Sequence, residues 1–218
     1  MEMQGISAAS REVGRCVSAK VGRLQRACLQ GLAPERATMA RLRKLDTPGG
    51  GSWMVVGEEL FSDLPDLGMG KSVEDKALLS IKASLKLYSI HQQSKDHPMA
   101  VFPKAGEGPS GRFGRACRLI TFDPKKGEDE DGASGVRRRM ASIEAAAGDF
   151  NGVEICVRAL VRLMRAKDVQ LDYGALARDL FLLQFESARE RVFLDWARDY
   201  YAPVKSMASE DGAASVRW

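Results

Sequence analysis

The sequence predicts an all-α fold, and three observations carry that expectation. Apolar residues recur at spacings of three and four wherever a period is legible. No alternating run of the kind a half-buried strand requires stands out. Four short periodic segments joined by short loops close the chain, the pattern of antiparallel helices.

Residues 10–29 place Val13, Val17, Val21, Leu24 and Cys28 on one face, as an amphipathic helix does. Pro34 suits the first turn of a second helix reaching about residue 44, with Glu35 favourable at its positive end. Thr47-Pro48-Gly49-Gly50-Gly51-Ser52 breaks the chain, and residues 49–70 read as irregular. Ser72-Val73-Glu74-Asp75 has the form of a capping box, and behind it Leu78, Ile81, Leu85 and Tyr88 line a helix to about residue 92. After the loop marked by His97-Pro98 and Gly106-Glu107-Gly108-Pro109, Ser110 is placed to cap a helix to about residue 121. Its apolar side holds Phe113, Ala116, Cys117 and Ile120, and Arg112, Arg115 and Arg118 share the other side.

Residues 123–135 are rich in Lys, acidic residues and Gly without a period, and read as a linker or insertion lacking fixed structure. Four helical segments follow. One spans 136–147; one runs from the cap Asn151, with Glu154 three residues on, to about 167. A third follows Asp172, with Tyr173, Leu176, Leu180 and Leu183 inward; the last carries Val192, Trp196 and Tyr200 on one stripe and stops at Pro203. The expected organisation is two small helical domains. The N-terminal one spans 1–124, an acidic linker or insertion spans 125–135, a C-terminal four-helix bundle spans 136–205, and 206–218 is a frayed tail.

At 218 residues and 44% hydrophobic content the chain has material for one core or two small ones. It lacks any run approaching the ~18 apolar residues of a membrane span. Residues 1–18 hold Glu2, Arg11, Glu12 and Arg15 and no apolar core, so no signal peptide is expected and the location reads as cytoplasmic. Cys16, Cys28, Cys117 and Cys156 form no Cys-x-x-Cys pair, the spacing of neither a zinc site nor a disulfide framework.

Enzymatic chemistry has little to stand on. His91 and His97 read as surface polar residues without ligand partners nearby. Glu186, Glu190, Asp195 and Asp199 interleave with Arg189, Arg191 and Arg198, the pattern of a solvated, salt-bridged face. Gly49-Gly50-Gly51 lacks the Lys-Ser/Thr of a phosphate loop, and no Gly-x-Ser-x-Gly elbow occurs. No catalytic residue, metal or cofactor is expected.

Arginine is the informative residue. The net charge of +4 is only mildly basic, and local clusters set the field a polyanion meets. At about 100° per residue, Val153, Val157, Leu160, Val161 and Met164 form a core stripe, while Arg158, Arg162 and Arg165 share a neighbouring flank. Glu154, four residues before Arg158, offers the competing account of an ordinary helix pair; Arg162 and Arg165 have no acid in register. Arg112, Arg115 and Arg118 form another row. Arg137-Arg138-Arg139 span about 200°, so one or two reach any single ligand. Arg41, Arg43 and Lys44 close the second helix, where cations also favour the negative helix end. The few aromatics lie on buried stripes, which favours phosphate contacts over base stacking.

Five segments in order complete the reading: Ala40-Arg41-Leu42-Arg43-Lys44, Phe113-Gly114-Arg115-Ala116, Val136-Arg137-Arg138-Arg139-Met140, the run from Val169-Gln170-Leu171-Asp172-Tyr173 through Leu180, and Trp196-Ala197-Arg198-Asp199-Tyr200-Tyr201. Together they resemble the CasB family, the small subunit of the type I-E CRISPR Cascade. The resemblance implies two helical domains and no catalytic role. It also implies two copies in the assembly, beside the crRNA-bearing backbone and large subunits, with a basic surface contacting target DNA and the displaced non-target strand of the R-loop. Arg43, Lys44, Arg115, Arg138, Arg139 and Arg158 match basic family positions; Arg118 joins them from the shared helix side, and Arg162 and Arg165 from helix geometry. The sequence departs from the family pattern at 49–70, in the acidic loop before Gly135, which would repel DNA and is expected to point away from it, and at Phe113 in place of Leu. Two rival readings are a helical adaptor pairing its Arg rows with acidic protein partners, and a small nuclease, for which the sequence offers no carboxylate cluster.

Overall fold

Helix α1 (Glu2–Leu29) begins well before residue 10, because Ile6 and Ala9 extend the stripe of Val13, Val17, Val21 and Leu24 and are buried with it. It ends at Gly31, whose φ of +80° suits glycine. Leu32 N–H bonds the Ala27 carbonyl and Gly31 N–H that of Cys28, the Schellman closure. Helix α2 (Ala33–Arg43) follows with Pro34 in its first turn. These elements belong to a computed structural model that describes residues 2–45, 53–103, 110–123, 128–129 and 133–204.

The segment read as irregular contains a short helix, α3 (Gly57–Phe61). Its order comes from α1. The buried Lys20 ammonium donates to the Glu59 and Ser62 carbonyls at the end of α3, and Arg23 pairs with Glu59 at 2.7 Å. A cation over helix carbonyls is favourable, but the donor lies far away in sequence, so no local period announces it.

Helix α4 (Lys71–His91) starts one residue before the expected cap. Gly70 occupies the N-cap, and Ser72 lies inside the helix, accepting a hydrogen bond from Lys76 Nζ, so the capping box does not form. The helix is buried on several sides, and Ser80, Ser84 and Ser89 return their hydroxyls to carbonyls one turn back. Beyond it, residues 99–101 pair with Leu171 and with the Gln25 side chain, whose amide bonds both the N–H and the carbonyl of Ala100.

Helix α5 (Phe113–Leu119) has Arg112, not Ser110, in the N-cap position. At the start of the expected linker, β1 (Phe122–Asp123) pairs antiparallel with β2 (Glu128–Asp129), a two-residue ladder. Residues 124–127 and 130–132 of that stretch and the expected tail 206–218 lie outside the described residues, and 133–135 belong to the next helix. Helix α6 (Ala133–Ala145) starts ahead of Val136 because Ala133 is already buried. Helix α7 (Phe150–Ala166) is capped by Asp149, whose carboxylate accepts from the N–H groups of Asn151 and Gly152, both at 3.0 Å; Asn151 is not the cap. Helix α8 (Tyr173–Leu183) starts after Asp172, as expected, and Asp172 is its cap, accepting from Ala175 N–H. Helix α9 (Glu186–Tyr201) ends at Ala202, before Pro203.

Helix α1 lies against α8 with glycine at the crossing. A Cβ on Gly174 would fall 2.0 Å from Ser18 Oγ and 2.9 Å from the Gly14 carbonyl oxygen. Helix α4 packs on α1, α2, α7 and α8, α6 on α7, and α9 on α5 and α8. Buried apolar side chains from α1 through α9 form one continuous cluster. The described elements are thus helical apart from the two-residue ladder.

Candidate nucleic-acid interface

Helix α7 owes its place to the core stripe of Val153, Val157, Leu160, Val161 and Met164, all buried. Its flank carries Arg158, half-buried, Arg162, exposed, and Arg165, half-buried. Glu154 is the only acid in α7, and it does not pair with Arg158. It is buried and meets Lys86 Nζ of α4 at 2.7 Å, both side chains less than one-tenth exposed. The i,i+4 pair allowed by the sequence is therefore replaced by a tertiary ion pair. No ion pair joins Arg158, Arg162 or Arg165 to a carboxylate among the described residues; Arg165 reaches Gln93 Oε1 at 3.4 Å.

Arg43, at the end of α2, comes into the same neighbourhood. Its guanidinium donates to the Ser89 carbonyl at 3.4 Å, burial lowers its pKa, and the nearby Arg165 charge lowers it further against the raising effect of Cys28. Lys44 is the exposed C-cap residue beside it. Arg115 and Arg118 form a second group around the end of α9. Two N–H groups of Arg115 donate to the carbonyls of Ala202 at 2.7 Å and Pro203 at 2.9 Å, so this side chain holds the exit of α9. Arg118 lies over the rings of Phe122 and Tyr200. Arg138 and Arg139 stand exposed on α6, and Arg139 turns back to the Gly135 carbonyl.

Arg36, Gln93 and Lys95 were missed in the sequence. They line a cleft between α2 and the turn after α4, together with Arg43. Arg36 was accessible in principle, since a residue seven before Arg43 lies on the same helix face. Gln93 and Lys95 were not, because a turn has no period. The acidic interleaving on α9 does form a solvated face, with Asp195 between Arg191 and Arg198 at 3.0 and 3.5 Å.

His91 is not a surface residue: it is fully buried beside the Tyr173 ring, where desolvation lowers its pKa to about 4 despite the Val169 backbone and Asp168. His97 does lie partly exposed, between Asp96 at 3.0 Å and Asp168 at 3.1 Å. Among the described residues no group of three or more His, Cys, Asp or Glu side chains is placed to hold a metal.

Two buried groups give opposite pH dependences over one window. Neutral His91 contributes stability that is present above the unfolded pKa near 6.5 and is lost as pH falls toward 4. Asp179, accepting from Trp196 Nε1 at 2.7 Å, has its pKa raised to about 6 by desolvation, against the lowering effect of Arg178. Its native state takes up a proton before the unfolded chain does, so its ionised form costs stability at neutral pH and the cost is relieved as pH falls toward 4. Asp179→Asn keeps an acceptor for Trp196. It is expected to stabilise the protein by roughly 1–3 kcal/mol at pH 7.5, with the advantage gone near pH 4. Urea denaturation at both pH values checks this; a constant difference refutes it.

Rows of arginine set beside a continuous apolar core define an all-helical protein with cationic flanks on its surface. The family model described as CRISPR-associated protein Cse2 matches residues 38–201. The chain therefore belongs to the Cse2 family of Cascade subunits. Its structure is similar to the crystal structure of CasB from Thermobifida fusca, with a TM-score of 0.70 and 26% sequence identity, covering 88% of this chain and 98% of that one. No curated protein sequence matches. No helix among the described residues is long and apolar enough to cross a membrane.

Proposed function

We propose that this chain is a non-catalytic small subunit of a cytoplasmic type I-E Cascade effector that stabilises the R-loop by contacting nucleic-acid phosphates. The observation that carries the reading is α7: a helix whose only acid is buried against Lys86 and whose outer flank bears Arg158, Arg162 and Arg165 without carboxylate partners among the described residues. Arg43, near enough to Arg165 to feel its charge, extends this cationic group, and Lys44 is the exposed residue that follows it in the chain. Arg138 and Arg139 add exposed charge on α6, while Arg115 and Arg118 shape the end of α9. The partners in this reading are the backbone and large subunits, a second copy of the chain, crRNA, and the target and non-target DNA strands. The two helical portions, upstream and downstream of residues 125–135, would present their cations to a shared strand path.

Phosphate neutralisation releases counterions, so log affinity for a single strand should fall with log salt at about −0.7 per phosphate. Arg162→Ala/Arg165→Ala is expected to weaken binding and flatten that slope by about one to two such increments. Unchanged slope and affinity place both residues off the strand path. Competition by acidic polypeptide but not by random-sequence DNA would favour the adaptor reading instead.

A further inference from the structure

The cleft between α2 and the turn after α4 is lined by Arg36, Arg43, Gln93, Lys95 and Cys28, with Asp96 at the same opening, and encloses about 550 Å³. Its charge is not self-cancelling. Asp96 bonds His97, and Lys95 bonds Asp168, whereas Arg36 and Arg43 have no carboxylate partner among the described residues. Arg165 donates to Gln93 Oε1 from the side of α7, which leaves the Gln93 amide N–H groups as donors and brings a further positive charge toward Arg43. Ser94 holds a φ of +59°, a conformation uncommon outside glycine that shapes the turn bearing Gln93 and Lys95. Two arginines and a glutamine line one recess, a set of donors that an anion with several acceptor oxygens satisfies.

We infer that this cleft is a phosphodiester pocket for single-stranded nucleic acid, with Arg36, Arg43 and Gln93 as its ligand-binding groups. The inference rests on the strand-binding reading above and deepens it by separating single strand from duplex. Arg43 is half-buried against Ser89. A duplex carries its phosphates on a stiff convex cylinder, whereas a flexible single strand bends a phosphate into a recess.

Cys28 makes occupancy measurable, because this half-buried thiol lines the cleft while Cys16 and Cys156, also half-buried, do not. The full-length chain is alkylated with iodoacetamide, and each cysteine is followed by peptide mass spectrometry. The probes are a single-stranded oligonucleotide, its duplex, and inorganic phosphate. The single strand is expected to slow labelling of Cys28 several-fold without changing Cys16 or Cys156, and the duplex to have little effect. Arg36→Ala, an exposed substitution, is expected to abolish that protection and reduce the salt slope for single strand by about 0.7, with Arg36→Lys restoring part of it.

Equal protection by duplex, protection by inorganic phosphate but not by the strand, or an Arg36→Ala chain that behaves as wild type each overturns the pocket. If Arg36→Ala is silent while Arg162→Ala/Arg165→Ala flattens the slope, the strand-binding reading survives and only the pocket falls. Absence of strand binding by the wild-type chain overturns both.

Discussion

A Gly114→Ala chain is expected to be destabilised by about 3 kcal/mol or more. Gly114 sits where α5 crosses α9, and a Cβ there would lie 2.1 Å from the Trp196 carbonyl oxygen, 2.8 Å from its carbonyl carbon and 2.9 Å from its Cα. These are backbone atoms, so no rotamer change relieves the overlap and the helices must separate. Separation would disturb the packing of Phe113 on Trp196, whose ring centroids are 4.5 Å apart, the bond from Trp196 to Asp179, and the grip of Arg115 on the end of α9. Gly148→Ala is the control, since its added Cβ meets nothing within 4 Å. Urea midpoints should place Gly114→Ala far below both wild type and the control; a shift within about 0.5 kcal/mol, the ordinary scatter of surface substitutions, contradicts the crossing.

Lys86→Met carries the second large expectation, a loss of about 3–5 kcal/mol. The substitution would leave the Glu154 carboxylate buried without its ammonium partner, and a buried unpaired charge is far costlier than the pair. Lys86→Met/Glu154→Leu removes both charges in place of one and should recover most of the loss. If the double variant is no more stable than the single one, the pair does not account for the cost. The same double variant bears on function. Glu154 points inward, so its removal should leave the strand affinity of a folded chain close to wild type, whereas an exposed acid beside Arg158 would have weakened binding and its removal would strengthen it.

Both cases show which parts of the molecule were legible beforehand. The stripes of α1, α4, α7, α8 and α9 were readable because a helix repeats every 3.6 residues and an apolar face must be buried somewhere. The caps were less so: Asp149, Gly70 and Arg112 occupy N-cap positions assigned to Asn151, Ser72 and Ser110, and Asp172, read only as the residue before its helix, is a cap. Several nearby residues satisfy a capping rule, and packing of the first turn selects among them. The short α3 escaped notice because Lys20, not its own residues, closes it.

The candidate site divides along the same line. The flank of Arg158, Arg162 and Arg165 follows from spacing within one helix. That Arg43 and Arg165 share a field, and that Arg36, Gln93 and Lys95 complete a cleft with Arg43, follows from contacts between segments far apart in the chain.

The sequence by itself determined the helical class, the core stripes and the ordered segments that resemble the Cse2 family, because these reside in local periodicity and local motifs. Only the tertiary structure decided that Glu154 turns inward to Lys86, that Arg115 holds carbonyls of α9, and that His91 is buried. A helical residue's position around its own axis is a property of sequence, but its partner depends on which helix lies opposite. That choice belongs to the packed core as a whole.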